Sequence, residues 1–114
     1  MKIVITSQGP EMTSPVDPRF GRVRFFIVVD TDTYEWSVAD NTQNYNAAQG
    51  AGIQAGRNVV NLEAEAVLTG HVGPKAFATL QAGGIKIYTG AQDTVANAVE
   101  QFKAGRLKQT TTAD

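Results

Sequence analysis

The sequence predicts a single mixed α/β domain built on a five-stranded sheet covered by helices. Three observations carry that expectation. Short β-branched runs alternate with helix-patterned segments through the second half of the chain, which implies right-handed crossovers and parallel pairing there. Two strand-like runs near the front are separated only by the turn DTDT, which implies an antiparallel hairpin. Finally, 114 residues with 42% apolar and 18% charged side chains suffice for one compact domain with a real core, and are too few for two.

Lys2 to Ser7, KIVITS, is a β-branched run and reads as a central strand. Residues 8–22, QGPEMTSPVDPRFGR, hold three prolines and two glycines, so they read as a long loop, and long ordered loops often carry function. Val23 to Thr31 is an almost continuous apolar run, expected to be buried on both faces. Asp30 to Thr33 is a turn, and Tyr34 to Asp40 alternates as a half-buried strand at an edge. A helix follows from about Ala48 to Leu62, with Ala48, Ala51, Ala55, Val59 and Leu62 as its inner stripe. Gly50, Gly52 and Gly56 each cost such a helix about 1 kcal/mol relative to alanine, which implies that something approaches its backbone closely.

The second half continues with a buried strand at Ala64 to Gly70, and a helix at Gly73 to Gly84 opened by Pro74 and closed by a glycine pair. A strand at Ile85 to Gly90 and a helix at Asp93 to Gly105, with Asp93 as N-cap, complete it. Residues 106–114 have little to bury and are expected to be a flexible tail, leaving 1–105 as the domain. Together these elements predict a ribonuclease-H-like sheet in the order 3-2-1-4-5. In such sheets ligands favour the loops at the carboxyl ends of the parallel strands. That rim gathers the loops after Ser7, at His71 and at Thr89-Gly90-Ala91.

Composition excludes several functions. A net charge of −1 gives no general attraction for nucleic acid or anionic lipid. No apolar run approaches the roughly 20 residues of a spanning helix, and MKIVITSQGP is too short in its apolar part for a signal peptide, so a soluble cytoplasmic protein is expected. The absence of cysteine removes disulfides, thiolate-bound zinc and cysteine nucleophiles. A nuclease on this fold needs carboxylates converging on metal ions, yet KIVITS and AVLTG carry none. The acids Asp30, Asp32 and Glu35 gather instead at the hairpin turn. There is no G-x-S-x-G, no P-loop, and GAGIQAG has the wrong spacing and position for a dinucleotide fingerprint. His71 is the sole candidate base, and no second catalytic group stands at recognisable spacing, so no enzymatic activity is expected.

Two features carry chemistry. In DPRFGRVR, Arg19, Arg22 and Arg24 fall within six residues and no acid follows Asp17. Guanidinium groups donate several hydrogen bonds in a fixed plane, so this segment suits a multiply charged anion. In TGHVGPKA, a helix opening at Pro74 presents amide groups and a partial positive charge at its amino end, with His71 and Lys75 beside it.

The order and spacing of FGR before a strand, GAGIQA opening a helix, AEAVLTGHVGPKAFATLQAGGIKIY and TVANAV resemble the dinitrogenase iron–molybdenum cofactor-binding family, related to nitrogenase accessory proteins. The resemblance covers residues 1 to 105 and is most specific from Val67 to Ile85. It points within that family to the orange protein branch of sulfate-reducing bacteria. It implies a carrier for a preassembled molybdenum-containing metal–sulfide cluster, molybdenum–copper or molybdenum–iron, bound non-covalently and working with protein partners in a larger complex. A degenerate site on a protein-interaction module, docking through the Gly52 and Gly56 helix or the hairpin edge, is the alternative. Relatives often have cysteines and this chain has none, which fits a cluster already saturated by inorganic sulfide. The implied contacts are the Arg19-Phe20-Gly21-Arg22 turn with Arg24, and the His71-Val72-Gly73-Pro74-Lys75 stretch. His71 is a possible metal ligand, and Met12 a thioether that a soft copper would accept.

Overall fold

A computed structural model describes residues 1–41 and 51–112. The β-branched run forms β1 (Lys2–Ser7) in the middle of a mixed sheet. It pairs antiparallel with β2 (Phe25–Asp30), which in turn pairs antiparallel with β3 (Trp36–Asp40) at one edge. On its other side β1 pairs parallel with β4 (Ala66–Leu68), and β4 pairs parallel with β5 (Lys86–Thr89). A sixth strand, β6 (Lys108–Gln109), runs antiparallel to β5, so the order is β3-β2-β1-β4-β5-β6. The helices among the described residues are α1 (Ala51–Asn61), α2 (Pro74–Ala82) and α3 (Val95–Lys103). None is long and apolar enough to cross a membrane.

Alternation along the strands sorts the core into two clusters, one on each face of the sheet. Val4 and Phe26 join Phe20, Val59, Val67, Val72 and Leu80 in the cluster under α1 and α2. Ile3, Ile5, Ile27 and Val29 join Val16, Leu68, Val95 and Val99 in the cluster under α3. β2 is therefore covered on both faces, as its apolar run predicts. Burying such a side chain contributes about 1.5–3 kcal/mol. The glycines of α1 explain themselves by proximity: a Cβ on Gly52 would stand 3.3 Å from Ala76 Cβ, and one on Gly56 2.9 Å from Thr79 Cγ2. The close approach is that of α2. Ala48 and Gly50 of the expected helix lie outside the described residues.

Two expectations are corrected. Among the described residues the sheet has six strands rather than five, because the segment after Gly105 contributes β6: Tyr88 pairs with Gln109 and Thr89 with Lys108. Both β6 residues are exposed, so backbone pairing on the open edge of β5 holds them and no apolar pattern announces the strand. Leu107, just before it, packs against the cluster under α3. The N-cap of α3 is Thr94, whose hydroxyl accepts the Asn97 N–H at 3.1 Å. Asp93 takes the left-handed conformation, φ 70°, and its carbonyl accepts the Val16 N–H, so the helix begins one residue later than the sequence suggests.

Candidate functional site

The long loop after β1 does not extend into solvent. It folds back over the carboxyl ends of β1 and β4 and is held there by backbone groups. Asp17 N–H donates to the Thr6 carbonyl at 2.9 Å, Thr6 Oγ1 donates to the Asp17 carbonyl at 2.6 Å, and Thr69 Oγ1 lies 2.8 Å from Thr6 Oγ1. Thr6 and Thr69 are fully buried and continue the register in which Ile5 faces Leu68, so the two hydroxyls meet at adjacent strand ends. Two residues beyond Thr69, His71 N–H donates to the Pro18 carbonyl at 3.0 Å, and Arg19 pairs with His71 in a parallel bridge. Gly70 makes this possible, since a Cβ there would lie 2.5 Å from Pro18 Cα. The third loop joins through Gly90 N–H to the Gly70 carbonyl and Ala91 N–H to the Thr69 carbonyl, at 2.9 and 3.0 Å. The three loops expected at the rim are thus knitted into one surface.

Two helix amino ends behave differently on this surface. The first N–H groups of α3 are taken by the loop, Val95 by the Ser14 carbonyl and Ala96 by the Met12 carbonyl, both at 2.9 Å. α2 opens at Gly73 with Pro74 at its start and no side-chain cap, beside exposed His71 and Lys75. Its amino end carries the partial positive charge expected of aligned peptide dipoles.

The arginine segment is only partly as anticipated. Arg19 is exposed and lines an open groove of about 390 Å³ with Gln8, Asp17, Pro18 and Arg24. Asp17, however, is 4% exposed, and its carboxylate accepts the Arg19 N–H at 2.9 Å and stands 3.6 Å from Arg19 Nε. The expected positive wall therefore has a buried carboxylate beside Arg19. A second groove, about 470 Å³, adjoins across Gln8 and Pro18 and runs along Val16, Ala91 and Thr94.

The remaining expected residues divide by burial. Phe20 and Val72 are core, 2% and 1% exposed, with Phe20 tilted against Phe26 at 5.9 Å, so these side chains anchor their loops from below. Gly21 lies against α1, where a Cβ would come 3.2 Å from Gly52 Cα. Arg22, Arg24, Gly73, Pro74 and Lys75 are exposed. Met12 is half-buried against the cluster under α3, on the other face of the sheet from the cluster that holds Phe20 and Val72. Thr6, Thr69, Asp17 and Gln8 were not singled out by sequence. The one available signal was a threonine at the end of each of two apolar parallel strands.

Chemically, the surface suits an anion. Among the described residues no three His, Cys, Asp or Glu side chains come together to hold a bare metal ion, and the chain has no thiolate to offer. The groove brings together the guanidinium groups of Arg19 and Arg24 with Gln8, Pro18 and the Asp17 carboxylate, and the Arg19–His71 bridge sets it beside the loop that opens α2. Guanidinium groups at such a surface suit an anionic ligand.

The family model described as dinitrogenase iron-molybdenum cofactor matches residues 1–105. The chain is similar to the orange protein of Desulfovibrio gigas, solved in its apo form, with 39% identity, a TM-score of 0.96, and coverage of 99% of this chain and 95% of that one. A Thermotoga protein of the DUF35 family is 34% identical with a TM-score of 0.86, covering 99% and 96% of the two chains. An uncharacterized protein of Methanocaldococcus jannaschii is 25% identical over 112 residues, 96% of this chain and 91% of that protein.

Proposed function

The chain belongs to the dinitrogenase iron-molybdenum cofactor family, and from that premise we propose that it is a non-catalytic carrier of a preassembled, anionic molybdenum-containing sulfide cluster. The proposal includes a ribonuclease-H-like reading of the sheet and a cargo of the molybdenum–copper or molybdenum–iron kind. The observation that carries it is the Arg19–His71 bridge, which joins the arginine loop to the loop opening α2 on one rim. The likeness to the orange protein supports the same reading.

The cluster is cargo, and the chain holds it through charge and shape. Arg19 and Arg24 donate planar hydrogen bonds to peripheral sulfides, and the α2 amino end adds a partial positive charge. His71 donates a further hydrogen bond or ligates a peripheral metal, and Lys75 supplies a nearby charge. Reconstitution of the apo-protein with tetrathiomolybdate and copper, followed by desalting and metal analysis, tests the reading. Retained metal with charge-transfer absorption is the expected result, and no retained metal ends the proposal. Retention falls as salt rises, because exposed charges are screened. Arg24→Ala is expected to weaken retention about tenfold, the effect of losing about 1.4 kcal/mol of charge-assisted bonding. His71→Ala weakens binding when charge dominates and abolishes it when His71 ligates metal.

A second reading, a docking module for another protein, is favoured by one observation. Tyr34, Trp36 and Val38 are 44%, 43% and 42% exposed on and beside the edge strand β3. A stable partner recovered from the native organism in the absence of metal would support that reading over the first.

A further inference from the structure

We propose that Asp17 is a positioning residue that sets Arg19 and His71 side by side, acting as a hydrogen-bond acceptor rather than as a charge. Arg19 and His71 come from loops far apart in sequence, and neither belongs to a ladder of regular strands. Their pairing depends on a single bridge. The residue between β1 and that bridge is Asp17, and every polar group it carries toward its neighbours is occupied by something that fixes a position.

Its N–H and carbonyl are both bound to Thr6, the N–H to the Thr6 carbonyl and the carbonyl to the Thr6 hydroxyl. This clamps the Asp17 backbone to the end of β1. The carboxylate then reaches forward two residues and accepts the Arg19 N–H at 2.9 Å, which closes a turn through Pro18. Within that turn the Pro18 carbonyl is aimed at the His71 N–H, 3.0 Å away. Pro18 has no N–H and a restricted φ, so its carbonyl direction follows from the residues on either side of it. Asp17 controls both sides, the first through Thr6 and the second through Arg19.

The acceptor role outweighs the charge role on geometry. The bond to the Arg19 N–H is well formed at 2.9 Å, whereas the Arg19 Nε stands at 3.6 Å and the Arg19 side chain is 58% exposed. An ion pair at that distance, with one partner largely in water, is weak. A carboxylate 5% exposed beside a surface that is to hold an anion would moreover oppose the anion by charge. Its presence there is accounted for by the turn it closes.

This inference rests on the cluster-binding reading for its functional half, and its structural half stands apart from it. Asparagine keeps an oxygen acceptor in the same place and removes the charge. Alanine removes both, and leucine removes both while filling the buried space. Amide hydrogen exchange in the metal-free protein reads the structural half. Asp17→Asn is expected to leave the Arg19 and His71 amides protected as in the unaltered chain. Asp17→Ala and Asp17→Leu are expected to lose protection at those two amides while Val4 and Leu68 in the sheet keep theirs.

Retention of tetrathiomolybdate with copper reads the functional half. Asp17→Asn should match the unaltered chain or exceed it, and the alanine or leucine variant should retain about tenfold less, equivalent to about 1.4 kcal/mol. Should alanine fail to fold, the leucine variant supplies the same comparison. Protection of Arg19 and His71 in the folded alanine or leucine variant would overturn the assignment. Loss of protection or binding in Asp17→Asn would overturn the acceptor role in favour of charge. No metal on the unaltered chain would defeat the carrier reading alone, because the exchange results would still judge Asp17.

Discussion

The rim at the carboxyl ends of β1 and β4 and the hairpin turn beyond β2 occupy opposite ends of the sheet and are held in opposite ways. At the rim the fastening groups are buried: Thr6, Thr69 and Asp17 exchange hydrogen bonds out of water. At the hairpin they are exposed. The Met1 ammonium reaches Asp32 at 3.0 Å and Asp30 at 3.9 Å, and Lys103 bonds the Tyr34 hydroxyl at 2.7 Å while lying 4.1 Å over its ring. Removing one partner of a buried hydrogen bond leaves a desolvated group unsatisfied, while exposed ion pairs exchange readily with water. The rim is thus expected to be stiff and sensitive to substitution, and the hairpin tolerant.

The largest expected effect is that of Gly70→Ala. Its new Cβ would meet Pro18 Cα at 2.5 Å, so one of the two backbones must move. A loss of about 3 kcal/mol in urea unfolding, at the upper end for overpacking, is expected together with faster exchange of the His71 amide. Thr6→Val preserves volume but deprives the Asp17 carbonyl of its 2.6 Å donor, and should cost about 2 kcal/mol. If Thr6→Val proved silent, the contrast between the two ends would fail. Trp36→Ser, at the exposed edge of β3, should change stability by no more than about 0.5 kcal/mol, and a larger loss would mean that the edge is part of the core.

The smallest effect concerns pH. The Met1 ammonium has its pKa raised above its ordinary 8.0, chiefly by the hydrogen bond to Asp32. A raised pKa in the folded state contributes stability that is fully present below the unfolded value and lost as pH rises through the folded one. Stability should therefore decline slightly above pH 8.0, and N-terminal acetylation should remove that decline. Asp30 behaves oppositely. The backbone N–H groups of Asp32 and then Thr33 lower its pKa below 3.8, so its contribution is present above that value and fades as the solution becomes more acid. Urea titrations across both ranges, repeated at high salt, would measure these terms and their screening.

The sensitivity of the rim also explains which parts of it could be read from residue order. The three loops could be assigned to one end of the sheet because strand and helix alternation sets chain direction. The arginines and the Pro74 helix start were visible as residue types. The buried role of Asp17 was not, because a carboxylate in a proline-rich loop looks the same whether it faces water or the end of a strand. Phe20 shows the same limit from the apolar side. It sits among arginines in the sequence, yet packs against Phe26 beneath the loop. Likewise β6 is two polar residues that pair with the open edge of β5.

Periodicity and composition by themselves determined the α/β class, the order of the first five strands, the double-sided burial of β2 and the exclusion of thiolate chemistry. Those properties follow from the local repeat of apolar side chains and from which atoms the chain contains. Only the tertiary structure decided that Thr6, Thr69 and Asp17 meet, that Arg19 pairs with His71, and that Met12 packs with the cluster on the other face of the sheet. These contacts join residues far apart in the chain, 63 positions for Thr6 and Thr69. No local repeat encodes them, because a hydrogen bond between two buried groups is chosen by the packing that removes water from both.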